Sequence, residues 1–281
     1  MATQTMDGME PRFSLPDSTP KSSKTVLAIG GLKIYVYGLE EAIAGQTPDS
    51  HGDLAVFYLA HNRTRTYLVT EGIAHEVLYR YREDSTRARS TPLIAVTMNM
   101  RNHGDRESQI YPPANRTWQD GNEQHAMDLV SIISGSAQDF KLVLDYLPAY
   151  VPQFTRFYNV MAGVSLGAHT AWRIASLASP GQIHAYYVVS RDDRKVADEF
   201  PTDVPLLLCN GVHDKLVPAK HTASWVEDRR RRNQESGIEQ DITFFMQDNT
   251  GHSCTKEMVA MMAVWLRDIL PPSPRSPRSS L

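Results

Sequence analysis

Cysteine is nearly absent: Cys209 and Cys254 are the only two in 281 residues. So few thiols exclude a disulfide framework and fit a reducing compartment, so both are expected to be free and the protein cytoplasmic. Net charge is scarce as well. A formal charge of -3 and a pI near 6.4 supply no field that gathers a polyanion, which argues against nucleic acid and acidic membrane surfaces as partners. No stretch approaches the roughly 18 consecutive apolar residues of a membrane span. The first residues lack the basic-then-apolar layout of a signal peptide. Metal-ligand spacings and a dinucleotide-type glycine pattern are missing too, so no cofactor or metal is expected.

What is present is 41% hydrophobic and 22% charged residues, enough to bury one large core. Residues 1–23, rich in Ser, Thr, Pro and Asp, read as a disordered arm that cannot offset its ordering entropy. Residues 271–281 carry four prolines within the first eight positions and read as a disordered tail. The end, Ser279-Ser280-Leu281, lacks the central basic residue of a peroxisomal Ser-Lys-Leu address. Residues 24–270 form the folded domain. Two Asn-Arg-Thr triplets, at Asn62 and Asn115, match a glycosylation pattern that has meaning only in a secreted chain.

Short apolar runs alternate with helical patterns along this domain. Residues 25–29 and 33–37 read as a hairpin across Gly30-Gly31. Residues 54–59, 92–98, 159–162, 184–189, 205–209 and 242–246 read as strands. Residues 67–82, 122–146, 168–177, 222–232 and 256–269 read as helices. Continuous apolar strands between helices imply an α/β fold with a mostly parallel sheet covered on both faces. The run Asp228-Arg229-Arg230-Arg231-Arg232 falls in a helical pattern and reads as a solvated helix end, with acidic neighbours that weaken a nuclear-localisation reading.

Gly163-Val164-Ser165-Leu166-Gly167 follows a strand and opens a helix, the context in which such a pentapeptide bends sharply and exposes its serine. The flanking glycines remove side chains that would collide in the bend. The Leu166 N–H, at the start of the following helix, is placed to stabilise an oxyanion. Asp214 lies just past the strand at 205–209, and His252 follows the strand at 242–246. The order Ser165, Asp214, His252 is that of one hydrolase fold and differs from the orders used by chymotrypsin-like and subtilisin-like enzymes.

On these residues the chain resembles the α/β-hydrolase superfamily of serine esterases, lipases and thioesterases, over about residues 25–269. The resemblance implies Ser165 as nucleophile, His252 as general base, Asp214 as its orienting acid, and a small-molecule ester or thioester as substrate. Arg101-Asn102-His103-Gly104 is similar to the Arg-x-His-Gly loop of many members and is assigned a structural role. Where members place His-Gly after the strand at 54–59, this chain reads His61-Asn62-Arg63, so the second oxyanion donor is an N–H of that loop, from Asn62 or Arg63. Asp214 follows Ser165 by only 49 positions, leaving little or no room for a cap domain. The site is thus expected to be open, or walled by the loop 105–122 with Tyr111, Pro112, Pro113 and Trp118. Cys254, two residues past His252, reads as a small buried thiol near the site. An acyltransferase using the same three residues, and a binding protein that has lost the chemistry, are the alternative readings.

Overall fold

The computed structural model describes residues 9–46, 52–83, 90–108, 117–189 and 200–272. In chain order the main elements are β1 (Lys24–Ile29), β2 (Leu32–Tyr37), α1 (Leu39–Ala44), β3 (Asp53–Ala60), α2 (Tyr67–Glu83), β4 (Leu93–Thr97) and α3 (His125–Tyr150). They continue as β5 (Arg156–Val164), α4 (Leu166–Ile174), β6 (Ala185–Val189), β7 (Leu206–Gly211), α5 (Ala219–Glu235), β8 (Ile242–Gln247) and α6 (Lys256–Ile269).

The strands form a single sheet in the order β1-β2-β4-β3-β5-β6-β7-β8. Every pairing from β4 through β8 is parallel, and the β1-β2 hairpin adds an antiparallel edge. All eight residues of β3 are buried because both of its faces are covered. Leu54, Val56, Tyr58 and Ala60 pack into the layer under α1, α3, α4 and α5, while Ala55, Phe57 and Leu59 face α2 and α6. The helices supply matching stripes. In α2 these are Ile73, Ala74, Val77, Leu78 and Tyr81; in α6 they are Met258, Val259, Met262 and Leu266. Thr255 caps α6 by accepting the Met258 N–H at 3.3 Å.

After β3 the chain crosses to β4 on one side, and after α3 it returns to β5 on the other, so the connections diverge between β3 and β5. A crevice opens at the C-terminal ends of the strands on either side of such a switch, where ligands of open α/β sheets bind.

Three expectations change. Residues 9–23, expected to be part of a disordered arm, lie as a strap along the body. Glu10 N–H donates to Asn249 O at 2.6 Å, Phe13 N–H to Cys254 O at 2.8 Å, and Thr19 Oγ1 to Glu76 Oε2 at 2.6 Å. Three residues on, Ser22 is buried, its N–H held by His75 Nδ1 at 3.1 Å. Hydrogen bonds to distant residues supply what the strap's own composition lacks. Second, the arginine run in α5 is not simply solvated: Arg229 is 3% exposed and donates to the carbonyls of Phe200 and Pro201 at 2.8 Å each. Third, the long helix starts at His125 rather than 122, because Asn122 Oδ1 accepts the Gln124 N–H at 2.9 Å and makes a turn there. The tail from 273 on and the interval 190–199 lie outside the described residues, as do Tyr111, Pro112, Pro113 and Asn115.

Candidate active site

Ser165 stands between β5 and α4 with φ 54° and ψ -114°, a left-handed conformation that a residue with a side chain adopts only under constraint. The constraint is steric. A Cβ on Gly163 would sit 2.0 Å from Gly167 O, and one on Gly167 would sit 2.0 Å from Ala60 O at the end of β3. The two glycines therefore allow the bend to close on itself and against the neighbouring strand. Ser165 N–H donates to Val189 O at 2.9 Å, which ties the bend to β6.

The other two predicted residues converge on it. His252 Nε2 lies 2.8 Å from Ser165 Oγ, and His252 Nδ1 lies 2.8 Å from Asp214 Oδ2. The carboxylate assigns the tautomer: Nδ1 carries the proton and donates it to Asp214, leaving Nε2 to accept from the serine hydroxyl. Asp214 is itself fixed, its Oδ1 accepting the N–H groups of Leu216 and Val217 at 2.9 Å each. Its side chain is fully buried while that of His252 is 22% exposed, so the acid is shielded and the imidazole faces the cleft. Gly211, which the sequence does not mark out, lets the two loops meet: a Cβ there would lie 2.3 Å from Thr250 O.

Of the loop His61-Asn62-Arg63, Asn62 borders the cleft, and its Oδ1 is buried with no hydrogen-bond partner among the described residues. The His61 ring points away. Its Nδ1–H donates to Asn62 O at 2.9 Å and its Nε2 accepts the Met100 N–H at 3.0 Å. His103 repeats the pattern, with Nδ1–H to Arg101 O at 2.9 Å and Nε2 accepting the Thr64 N–H at 3.2 Å. The two rings meet edge to face at 5.1 Å. Tyr67 N–H adds a third tie to Asn99 Oδ1 at 2.9 Å, so the loop after β3 is fastened to the loop after β4. Burial pushes the His61 imidazole down to about 4 and the His103 imidazole down as well, so both are neutral struts near pH 7. Arg63 reaches His125, with Nη1 3.5 Å from its Nε2. Leu166 is buried at the start of α4, where the first helical N–H groups have no intrahelical acceptor.

Ser165 and His252 line a small, partly open cleft. Val69, Ile73 and Val164 make its apolar floor, Cys254 a buried wall, and Arg12 and Phe13 of the strap its outer side. Burial raises the Cys254 thiol far above its ordinary range, so it is a protonated wall residue at neutral pH. Trp118, expected in the substrate wall, is instead 63% exposed and packs edge to face on His125. The strap takes that place, and no local signal in residues 9–15 marks it. Among the described residues no group of three or more His, Cys, Asp or Glu is placed to hold a metal, and no helix is long and apolar enough to cross a membrane.

No protein-family model and no curated protein sequence matches the chain. Solved structures do. A dienelactone hydrolase from Anabaena variabilis is 13% identical with a TM-score of 0.57, covering 90% of this chain and 100% of its own. A cold-adapted esterase from an Arctic intertidal metagenomic library is 14% identical with a TM-score of 0.53, over 92% and 100%. An α/β serine hydrolase homologue from Coxiella burnetii is 15% identical with a TM-score of 0.51, over 90% and 99%. The chain has the α/β-hydrolase fold.

Proposed function

We propose that the protein is a serine hydrolase that cleaves a carboxylic ester or thioester through an acyl-enzyme intermediate. The observation that carries this reading is the pair of 2.8 Å contacts linking Ser165 Oγ, His252 and Asp214 at a bend whose glycines admit no side chain. His252 Nε2 takes the hydroxyl proton as Oγ attacks the carbonyl carbon. The resulting oxyanion is stabilised by the Leu166 N–H and, across the cleft, by the Asn62 N–H. Collapse breaks the bond to the alcohol or thiol, which leaves with the proton held by the imidazolium. Water then enters by the same steps in reverse roles, giving the free acid and restoring Ser165. Asp214 holds the imidazole in the required tautomer throughout.

The neighbours named as esterases and dienelactone hydrolase support hydrolase chemistry at the level of the fold. Replacing Ser165 by Ala is expected to lower turnover of a 4-nitrophenyl ester by at least about 10³-fold with the fold intact by circular dichroism. Turnover equal to the parent would reject the assignment. Adding a thiol or alcohol and analysing products separates hydrolysis from transfer to another acceptor.

A further inference from the structure

Arg12 borders the cleft that holds Ser165, and Arg12 and Arg65 both line the open surface cavity next to it, whose wall also includes Lys21. The strap fixes Arg12 relative to the reacting groups, since the next residue, Phe13, donates its N–H to Cys254 O at 2.8 Å, two residues from His252. Among the described residues no carboxylate lies within ion-pair reach of either guanidinium. The nearby Glu71 is already committed to Lys24 and to the Tyr37 hydroxyl. Partial burial, and then the neighbouring Arg65, disfavour the charge of Arg12. Two like charges on one cavity wall, with no carboxylate paired to them among the described residues, form a site that an anion relieves, and the guanidinium fork fits carboxylate and phosphate oxygens in particular.

We propose that Arg12 and Arg65 form an anion subsite, and that the substrate is an ester or thioester whose acyl part carries a carboxylate or phosphate group directed to them. The inference rests on the serine-hydrolase reading and adds the substrate class to it. The apolar floor of Val69, Ile73 and Val164 receives the methylene segment between the scissile carbonyl and the anion. A chain of net charge -3 thus presents a local positive rim to its substrate, which speeds encounter at low ionic strength.

The test uses the full chain and a series of mono-4-nitrophenyl esters of linear dicarboxylic acids from succinate to suberate, each compared with the neutral ester of equal chain length. Phosphonate-ended esters form the second arm, and whichever anion is favoured more identifies the group. We expect one chain length at which kcat/KM for the anionic ester exceeds that of its neutral counterpart by about 10-fold or more at low salt. That ratio should shrink as ionic strength rises and approach 1 in the R12Q/R65Q double variant. Equal treatment of charged and neutral esters at every length, or a ratio unchanged in the double variant, would overturn the proposal. If the protein turns over no ester, the serine-hydrolase reading has failed, and calorimetric binding of the free diacids and their phosphonate analogues decides the subsite by itself. Binding weakened about 10-fold or more by R12Q/R65Q supports it, and binding that is undetectable or unaffected by the substitutions contradicts it.

Discussion

The two sides of the cleft are built in opposite ways. On one side Ser165, Asp214 and His252 project from turns at the ends of β5, β7 and β8, three parallel strands whose registers are locked by the sheet. On the other side Arg12 and Phe13 sit on a strap without regular secondary structure, laid over the body by a handful of hydrogen bonds. The first side has its geometry set to a fraction of an ångström by covalent turns and close glycine contacts, as chemistry requires. The second is held by contacts worth about 1 kcal/mol each, which suits a surface that selects what enters. On the proposed function, reactivity belongs to the strand ends and substrate preference to the strap.

Substitutions on the strand side should therefore cost rate, and those on the strap side should cost affinity. Ser165→Ala carries the largest expected loss, as given above. Asp214→Asn keeps the shape but offers an amide to Nδ1 and favours the wrong tautomer, so kcat should fall about 10³- to 10⁴-fold in a 4-nitrophenyl ester assay. A loss under tenfold would mean that the acid only fills space. Gly167→Ala places a Cβ 2.0 Å from Ala60 O, which the backbone relieves only by moving Ser165. Activity should drop about 10²-fold or more, with destabilisation of about 1–3 kcal/mol in urea unfolding. Phe13→Ala removes part of the strap's apolar surface from the cleft, and KM should rise about 5-fold with a smaller change in kcat. A fall in kcat greater than the rise in KM would erase the proposed contrast between the two sides.

A second contrast runs between histidines. His252, 22% exposed on its side chain, faces Ser165 Oγ, whereas His61 and His103 are buried and neutral between backbone groups. The unfolded chain binds a proton at His61 near pH 6.5, but the folded protein resists it until about 4. Stability from this residue is thus complete above about pH 6.5 and declines as pH falls toward 4, by about 3 kcal/mol in total. Urea unfolding across that window should show a shallower acid decline in His61→Gln than in the parent, though the variant is weaker at neutral pH. Identical slopes would show that His61 is not the acid-sensitive strut.

Much of the strand side is written locally. Gly163-Val164-Ser165-Leu166-Gly167 specifies its own bend through the absence of two side chains, and Asp214 and His252 each follow an apolar run that reads as a strand. The parallel sheet is legible for the same reason, since most of β3, β4, β6 and β7 consists of apolar runs. Short α1 escapes notice because six residues after the left-handed Gly38 give too little periodicity to register. The strap is illegible for a different reason. Its residues are polar and proline-containing, and its order depends on partners such as Asn249, Cys254 and Glu76 that are far away in the chain. Trp118 misleads in the reverse direction: a large aromatic in a loop near the site suggests a substrate wall, yet its ring finds His125 and solvent. The roles of His61 and Gly211 likewise exist only as contacts between loops from different strands.

In the proposed reaction one hydroxyl, activated by one imidazole, does the work. The most direct measurement is treatment of the intact protein with a fluorophosphonate followed by peptide mass spectrometry. A single stoichiometric adduct is expected on Ser165, lost in Ser165→Ala and strongly slowed in His252→Ala. An unlabelled Ser165, or an adduct on another residue that persists when Ser165 is replaced, would contradict it.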